Sequence, residues 1–170
     1  MCEAYNRQYS TNFISVMPTN LYGPNNNFDL EISHALQALI EKFHDSKINN
    51  APQVEIWGTG KPKREFLYVY DLVDARVSLI ERYDYKDIGL FVNIGTGEDI
   101  SIRELAELIK DVMGYKGNLT FNTEKPDDTP SKLLDVGRME QLGWKANTDL
   151  ENGIRMTYEW LKGNVRCVHD

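Results

Sequence analysis

Three cations fall within four positions at Lys61-Pro62-Lys63-Arg64, just after the turn Gly58-Thr59-Gly60 and the aromatic Trp57. Ammonium and guanidinium groups bind phosphate, glycines let backbone N–H groups point at an anion, and an indole face stacks on a base. Read this way, the stretch is a nucleotide or phosphate site. The same residues also describe a solvated β-hairpin turn with an interior tryptophan, and composition alone favours that plainer reading.

Other candidates are weaker. His34 follows Ser33 at the start of an apolar-periodic run, where a helix dipole favours the neutral imidazole and poises it for proton transfer. A lone histidine at a helix start is more often structural. Tyr158 and Lys162 stand four apart, the spacing at which a lysine activates a phenol in short-chain reductases. They sit near the end of the last helical run with no pocket-forming sequence beside them, so they read as an ordinary helix pair. Gly95-Thr96-Gly97 begins like a dinucleotide fingerprint, but Ile100 stands where the third glycine belongs, and a strand-to-helix turn is the better reading. The three histidines, His34, His44 and His169, have no ligand spacing and no thiol nearby, so no metal site is expected. Neither a Gly-x-Ser-x-Gly elbow nor a P-loop is present.

The 170 residues carry 19 basic and 26 acidic side chains, a net charge of −7. That balance argues against a nucleic-acid partner while leaving room for a local anion site. With 41% hydrophobic residues the chain has enough apolar surface for a core. No apolar run is long enough to span a membrane, and residues 1–20 lack the regions of a secretory signal. Cys2 and Cys167 form no framework, so a reducing cytoplasm is expected and the sequon Asn118-Leu119-Thr120 carries no meaning.

The elements that must position these residues follow from periodicity. Residues 2–9 have helical spacing without a preceding cap, which reads as the back half of a longer helix. Phe13 to Met17 is β-rich and ends at Pro18. Residues 20–33 look like loop, with Gly23-Pro24 and three consecutive asparagines. Ser33 is placed to cap a helix with Ala35, Leu36, Leu39, Ile40 and Phe43 on one face. Strands are expected at 54–57, 66–69, 91–94 and 119–121, and helices at 71–82, 102–113, 137–142 and 149–162. Asp71 is expected to cap the first of these helices, and Ser101 with Glu104 forms a capping box for the second. Alternating helices and short strands give an α/β or α+β class.

Taken in order, Pro18-Thr19-Asn20-Leu21-Tyr22-Gly23-Pro24, Asn27-Phe28, Ser33-His34, Trp57-Gly58-Thr59-Gly60, Arg64-Glu65-Phe66 and Asn93-Ile94-Gly95-Thr96-Gly97 resemble the extended short-chain dehydrogenase/reductases. Within them the chain is most similar to the GDP-L-fucose synthase family. Asn6-Arg7-Gln8-Tyr9, Arg103-Glu104-Leu105-Ala106, Gly114-Tyr115-Lys116-Gly117, Lys125-Pro126-Asp127 and Lys132-Leu133-Leu134-Asp135 extend the match over 1–163.

The resemblance implies an α/β fold: the C-terminal, substrate-binding portion of such an enzyme, with a remnant of the Rossmann sheet and a small mixed α/β subdomain. Residues 1–170 would form this portion, residues 1–24 would be the Rossmann helix, strand and loop, and the N-terminal NADP-binding domain would be absent. Pro18, Thr19, Asn20 and Leu21 would pass beside the nicotinamide end of NADP, together with His34. His34 would also be the acid of an epimerisation step. Lys42, Trp57, Arg64 and Asp127 would hold a GDP-sugar. The implied parent is a cytoplasmic homodimer that converts GDP-4-keto-6-deoxy-D-mannose to GDP-L-fucose, without metal, nucleic acid or membrane. The family's Tyr-x-x-x-Lys, its glycine loop and its cysteine base would lie upstream, so the 170 residues alone are expected to bind without turnover. The alternatives are another nucleotide-sugar epimerase or dehydratase of the superfamily, or a non-catalytic binding module.

Overall fold

The computed structural model describes residues 1–27 and 35–164. Ser33 and His34 therefore lie outside the described residues, as do Cys167 and His169. The fold is α/β and is built largely from parallel strand pairs.

Helix α1 (Cys2–Tyr9) buries Asn6, whose amide closes the turn after it. Its Nδ2 donates to the Phe13 carbonyl at 2.9 Å, and its Oδ1 accepts from Phe13 N and from the Thr11 hydroxyl, both at 2.8 Å. Strand β1 (Val16–Pro18) pairs in parallel with β6 (Val92–Ile94). The extended chain then changes partner across Thr19, and β2 (Asn20–Tyr22) pairs in parallel with β5 (Phe66–Tyr68). The sequence predicts loop from residue 20 onward, and a strand stands there instead. Three residues closed by Gly23-Pro24 are too short to display a period of two, and only the pairing with β5 reveals the strand.

Helix α2 (Ala35–Ile48) buries Leu36, Leu39, Ile40 and Phe43, as its spacing requires, while Ala35, expected on the same face, is exposed in the first turn. β3 (Gln53–Trp57) pairs in parallel with β8 (Asn118–Asn122). β4 (Lys63–Arg64) lies between β7 (Ile100–Ser101), antiparallel, and β9 (Ser131–Lys132), parallel. Because β3 and β4 belong to different sheets, residues 58–62 cross between them. The hairpin reading of this stretch does not hold, and Trp57 is exposed rather than interior.

Strand β5 separates two cores. Phe66 and Tyr68 join Tyr22, α2, α5 (Ile102–Met113) and α7 (Leu150–Asn164). Leu67 joins α3 (Val69–Arg82), α4 (Tyr85–Ile88), β6 and α6 (Gly137–Gln141). Alternation along the strand sends successive side chains to opposite faces, and all three are buried. Leu105 and Ile109 on α5 are fully buried, each contributing about 1.5–3 kcal/mol of hydrophobic free energy.

The Ser101–Glu104 box forms as expected: Ser101 Oγ accepts from Glu104 N at 3.2 Å, and Glu104 Oε2 accepts from Ser101 N at 3.0 Å. Gly114 closes α5 with a φ of 65°. Asp71 is not the cap of α3. The helix starts two residues earlier, directly from β5, and the buried Asp71 carboxylate accepts from Thr148 N at 3.0 Å and Thr148 Oγ1 at 3.1 Å. It ties the start of α3 to the segment leading into α7.

Between β4 and β5 sits Glu65, 0% exposed. Its Oε1 accepts from Thr96 N at 2.7 Å and Gly97 N at 2.8 Å, and its Oε2 from Leu134 N at 3.0 Å. Its own carbonyl accepts from Asn20 Nδ2 at 2.8 Å. A glutamine cannot accept at both terminal atoms, so Glu65→Gln leaves at least one buried N–H unpaired. The expected cost is about 3 kcal/mol, read as a lower urea midpoint at unchanged slope. Glu81→Gln, on an exposed position, is expected to stay within about 0.5 kcal/mol of the parent.

Candidate functional site

A cleft of roughly 780 Å³ opens where the chain switches from β1 to β2. Pro18, Thr19, Asn20 and Leu21 form one wall, and Lys132, Leu133 and Leu134 are among the other lining residues. The first wall is held from behind. Thr19 N donates to the Ile94 carbonyl at 3.0 Å, and Asn20 reaches the Glu65 carbonyl. The second wall hangs on the same residue through Leu134 N. Gln37 of α2 also borders the cleft, and its Nε2 donates to the Leu21 carbonyl at 2.9 Å. Among the described residues its buried Oε1 accepts no hydrogen bond. All four residues expected at a nicotinamide end are thus brought together, whereas His34 falls outside the described residues.

The second cluster surrounds Trp57, whose side chain stands 57% exposed at the end of β3. Lys42 Nζ on α2 lies 4.8 Å from the ring centroid and donates to the Glu55 carbonyl at 3.3 Å. Burial lowers the Lys42 pKa, partly offset by Glu55. Lys125 Nζ lies 5.1 Å from the same ring. Two residues past Trp57, Thr59 binds Asp127: its N–H donates to Oδ1 at 2.8 Å and its hydroxyl to Oδ2 at 2.7 Å. A Cβ at Gly58 would collide with that carboxylate, which explains glycine there at a φ of 80°.

Arg64 points elsewhere. The guanidinium is nearly buried, donating to the Lys63 and Thr129 carbonyls and to Asp128 Oδ2, each at 2.6 Å. It borders a second cleft, of roughly 730 Å³, beside Phe66, Asp99 and Trp144. The three-cation cluster is therefore divided. Alternation on β4 turns Lys63 outward to Asp99 at 3.2 Å and Arg64 inward. Residues 123–130 form a strap fastened across 57–64 at three places: Lys125 on Trp57, Asp127 on Thr59 and Asp128 on Arg64.

The decoys resolve as structure. Tyr158 is buried against His44 at a centroid distance of 5.8 Å, and burial raises its pKa, the reverse of an activated phenol. Lys162 pairs with Glu159 at 2.7 Å. The Gly95-Thr96-Gly97 turn spends its N–H groups on Glu65. Among the described residues no group of three or more His, Cys, Asp or Glu is arranged to hold a metal, and no helix is long and apolar enough to cross a membrane. Sequence reasoning missed Glu65, Gln37 and Thr59 as individual residues. Lys125 and Lys132 carried a signal only as members of matching blocks.

Residues 1–95 match the family described as NAD dependent epimerase/dehydratase. GDP-L-fucose synthase 1 of Arabidopsis thaliana is 50% identical over 164 residues, covering 96% of this chain and 50% of the relative. GDP-L-fucose synthase of Escherichia coli (strain K12) is 47% identical over 170 residues, covering 96% and 53%. Among solved structures, a GDP-6-OMe-4-keto-L-xylo-heptose reductase from C. jejuni is similar with a TM-score of 0.88 at 39% identity, covering 96% of this chain and 57% of that one. A GDP-L-fucose synthetase from Naegleria fowleri bound to NADP is similar with a TM-score of 0.87 at 30% identity, covering 99% and 52%. The chain spans about half the length of the curated relatives it matches. With the family match extending over more than half of its residues, the chain belongs to the NAD dependent epimerase/dehydratase family.

Proposed function

We propose that this chain is the substrate-binding portion of an NADP-dependent GDP-L-fucose synthase, which epimerises carbons 3 and 5 of GDP-4-keto-6-deoxy-D-mannose and then reduces carbon 4. The observation that carries the reading is the juxtaposition of two stations: an exposed indole flanked by cations at Trp57, and a cleft walled by Pro18 to Leu21. The strap of residues 123–130 runs from the first station to Lys132 to Leu134, which line the second. A molecule with a base at one end and a sugar at the other fits that layout.

In this reading Trp57 stacks on guanine, Lys42 meets the diphosphate, and Arg64 and Asp127 hold the wall around them. The Pro18 to Leu21 wall fits the nicotinamide end of NADP, with Gln37 Oε1 as a buried acceptor beside it. The Gly95-Thr96-Gly97 turn does not fit its diphosphate, because those N–H groups already serve Glu65. Bound NADPH supplies the hydride for carbon 4. The 4-keto group acidifies carbons 3 and 5, and His34 delivers the proton on the face opposite the departing one. The 170 residues contain no Gly-x-Gly-x-x-Gly, and in their Tyr158–Lys162 pair the phenol is buried while the exposed lysine pairs with Glu159, so the chain alone binds GDP-sugar without oxidising NADPH.

Calorimetric titration of the chain with GDP and UDP tests this. GDP is expected to bind more tightly than UDP, and Trp57→Ala is expected to weaken GDP ten- to a hundredfold, matching about 1–3 kcal/mol of base stacking. Equal affinity for the two nucleotides would point to another member of the superfamily, and no binding would overturn the reading.

The strap adds a pH dependence. The Thr59 hydroxyl and then its N–H hold Asp127 below the usual carboxylate range, and the Thr129 N–H and then Arg64 hold Asp128 there. Carboxyls depressed in the fold contribute fully above their ordinary value of 3.8 and lose that contribution as pH falls through the lowered values. Affinity for a GDP-hexose, whose diphosphate lacks the terminal monoester that titrates at about pH 6, is therefore expected to stay level between about pH 7 and 5 and to fall only below about pH 4. Asp128→Asn is expected to weaken GDP already at neutral pH. A loss centred at about pH 6 with the GDP-hexose, which has no group of its own titrating there, would instead implicate a histidine.

A further inference from the structure

The two walls of the cleft at the β1–β2 switch differ in chemistry. Around the first, polar side chains are turned into the protein. Asn26 Nδ2 and Gln37 Nε2 both donate to the Leu21 carbonyl, at 3.3 and 2.9 Å. Asn20 Nδ2 and Thr19 Oγ1 both donate to the Glu65 carbonyl, at 2.8 and 3.3 Å. The second wall presents Lys132, Leu133 and Leu134. Leu133 is 48% exposed, and neither hydrophobic core includes it. Both of its chain neighbours are fastened. Lys132 Nζ lies 3.5 Å from Asp128 Oδ2, and Leu134 N donates to Glu65 Oε2 at 3.0 Å. Leu133 thus keeps apolar surface along the cleft on a backbone held at either side.

Hydride transfer needs the sugar carbon in contact with the nicotinamide. With the nicotinamide end against Pro18 to Leu21, the sugar is left to meet the second wall. In a 6-deoxyhexose, carbon 6 is the one carbon without oxygen, so it is the group that an apolar side chain matches. We propose that Leu133 is a specificity-determining residue for carbon 6: its side chain covers a methyl group there and disfavours a hydroxymethyl group, whose hydroxyl would lose water against a leucine. The inference rests on the GDP-sugar reading of the two stations and deepens it at the sugar end.

The test is calorimetric titration of the 170-residue chain with GDP, with GDP-L-fucose and with GDP-L-galactose, which adds only a hydroxyl on carbon 6. The parent chain is expected to prefer GDP-L-fucose about tenfold, within the range that one apolar contact can discriminate. Leu133→Asn is expected to bring the two sugars to equal affinity and to leave GDP unchanged, while Leu133→Met keeps the preference. Leu90→Asn, at an exposed leucine that lines neither large cleft, should change none of the three affinities. Equal affinity of the parent chain for the two sugars, or an unchanged preference in Leu133→Asn, overturns the assignment while the nucleotide reading stands on GDP. A loss of GDP together with both sugars in Leu133→Asn overturns it too, by making Leu133 a structural residue. If the parent chain binds no GDP, both readings fall together.

Discussion

The carboxylate of Glu65 is the constraint on which the cleft depends. A charge removed from water costs several kcal/mol unless fully hydrogen-bonded. Here three backbone N–H groups, from two segments far apart in sequence, converge on it. The segments are the turn after β6 and the stretch after β9, and the Glu65 carbonyl binds Asn20 in the β1–β2 switch. One residue thereby registers three loops, two of which are walls of the cleft. The glycine at 95 follows from the same contact, since a Cβ there would strike the Glu65 carboxylate. What looks in sequence like a phosphate-binding turn is a turn whose anion is internal.

The same substitution of internal for external partners recurs at Arg64. Alternation along 63–68 places Glu65 with Leu67 on one face and Arg64 with Phe66 and Tyr68 on the other. Each buried charge is then met by backbone or by the opposite charge: Glu65 by N–H groups, Arg64 by carbonyls and Asp128. A nearly buried guanidinium with these partners gives strap geometry rather than an open contact. The exposed face of the strap is left to Lys125 and Asp127, which turn toward Trp57 and Thr59.

Elements defined by local periodicity were legible in the sequence. The α2 and α5 faces, the Ser101–Glu104 box and the Gly114 cap all follow from spacing within one segment. β2 and the role of Asp71 were not, because each is decided by a partner distant in the chain: β5 for the strand and Thr148 for the carboxylate. Within the site, the Pro18 to Leu21 wall came only from the family resemblance, while Trp57 stood out by residue type. Glu65 and Gln37 did not, since a buried polar group looks in sequence like any solvated one.

Helix α2 joins the two stations. Gln37 borders the cleft and Lys42 lies over Trp57, five residues further along the same rod. At 1.5 Å per residue these positions are about 7.5 Å apart along the axis. Leu36, Leu39, Ile40 and Phe43 lock the helix into the core that also holds Val54 and Ile56 of β3. The spacing between the stations is thereby set by hydrophobic packing rather than by flexible loops. Loop hydrogen bonds adjust the walls, but the distance from the indole to the cleft is a property of the core. In the proposed reading, a ligand that bridges the two stations must match a separation that α2 fixes before any polar contact is made.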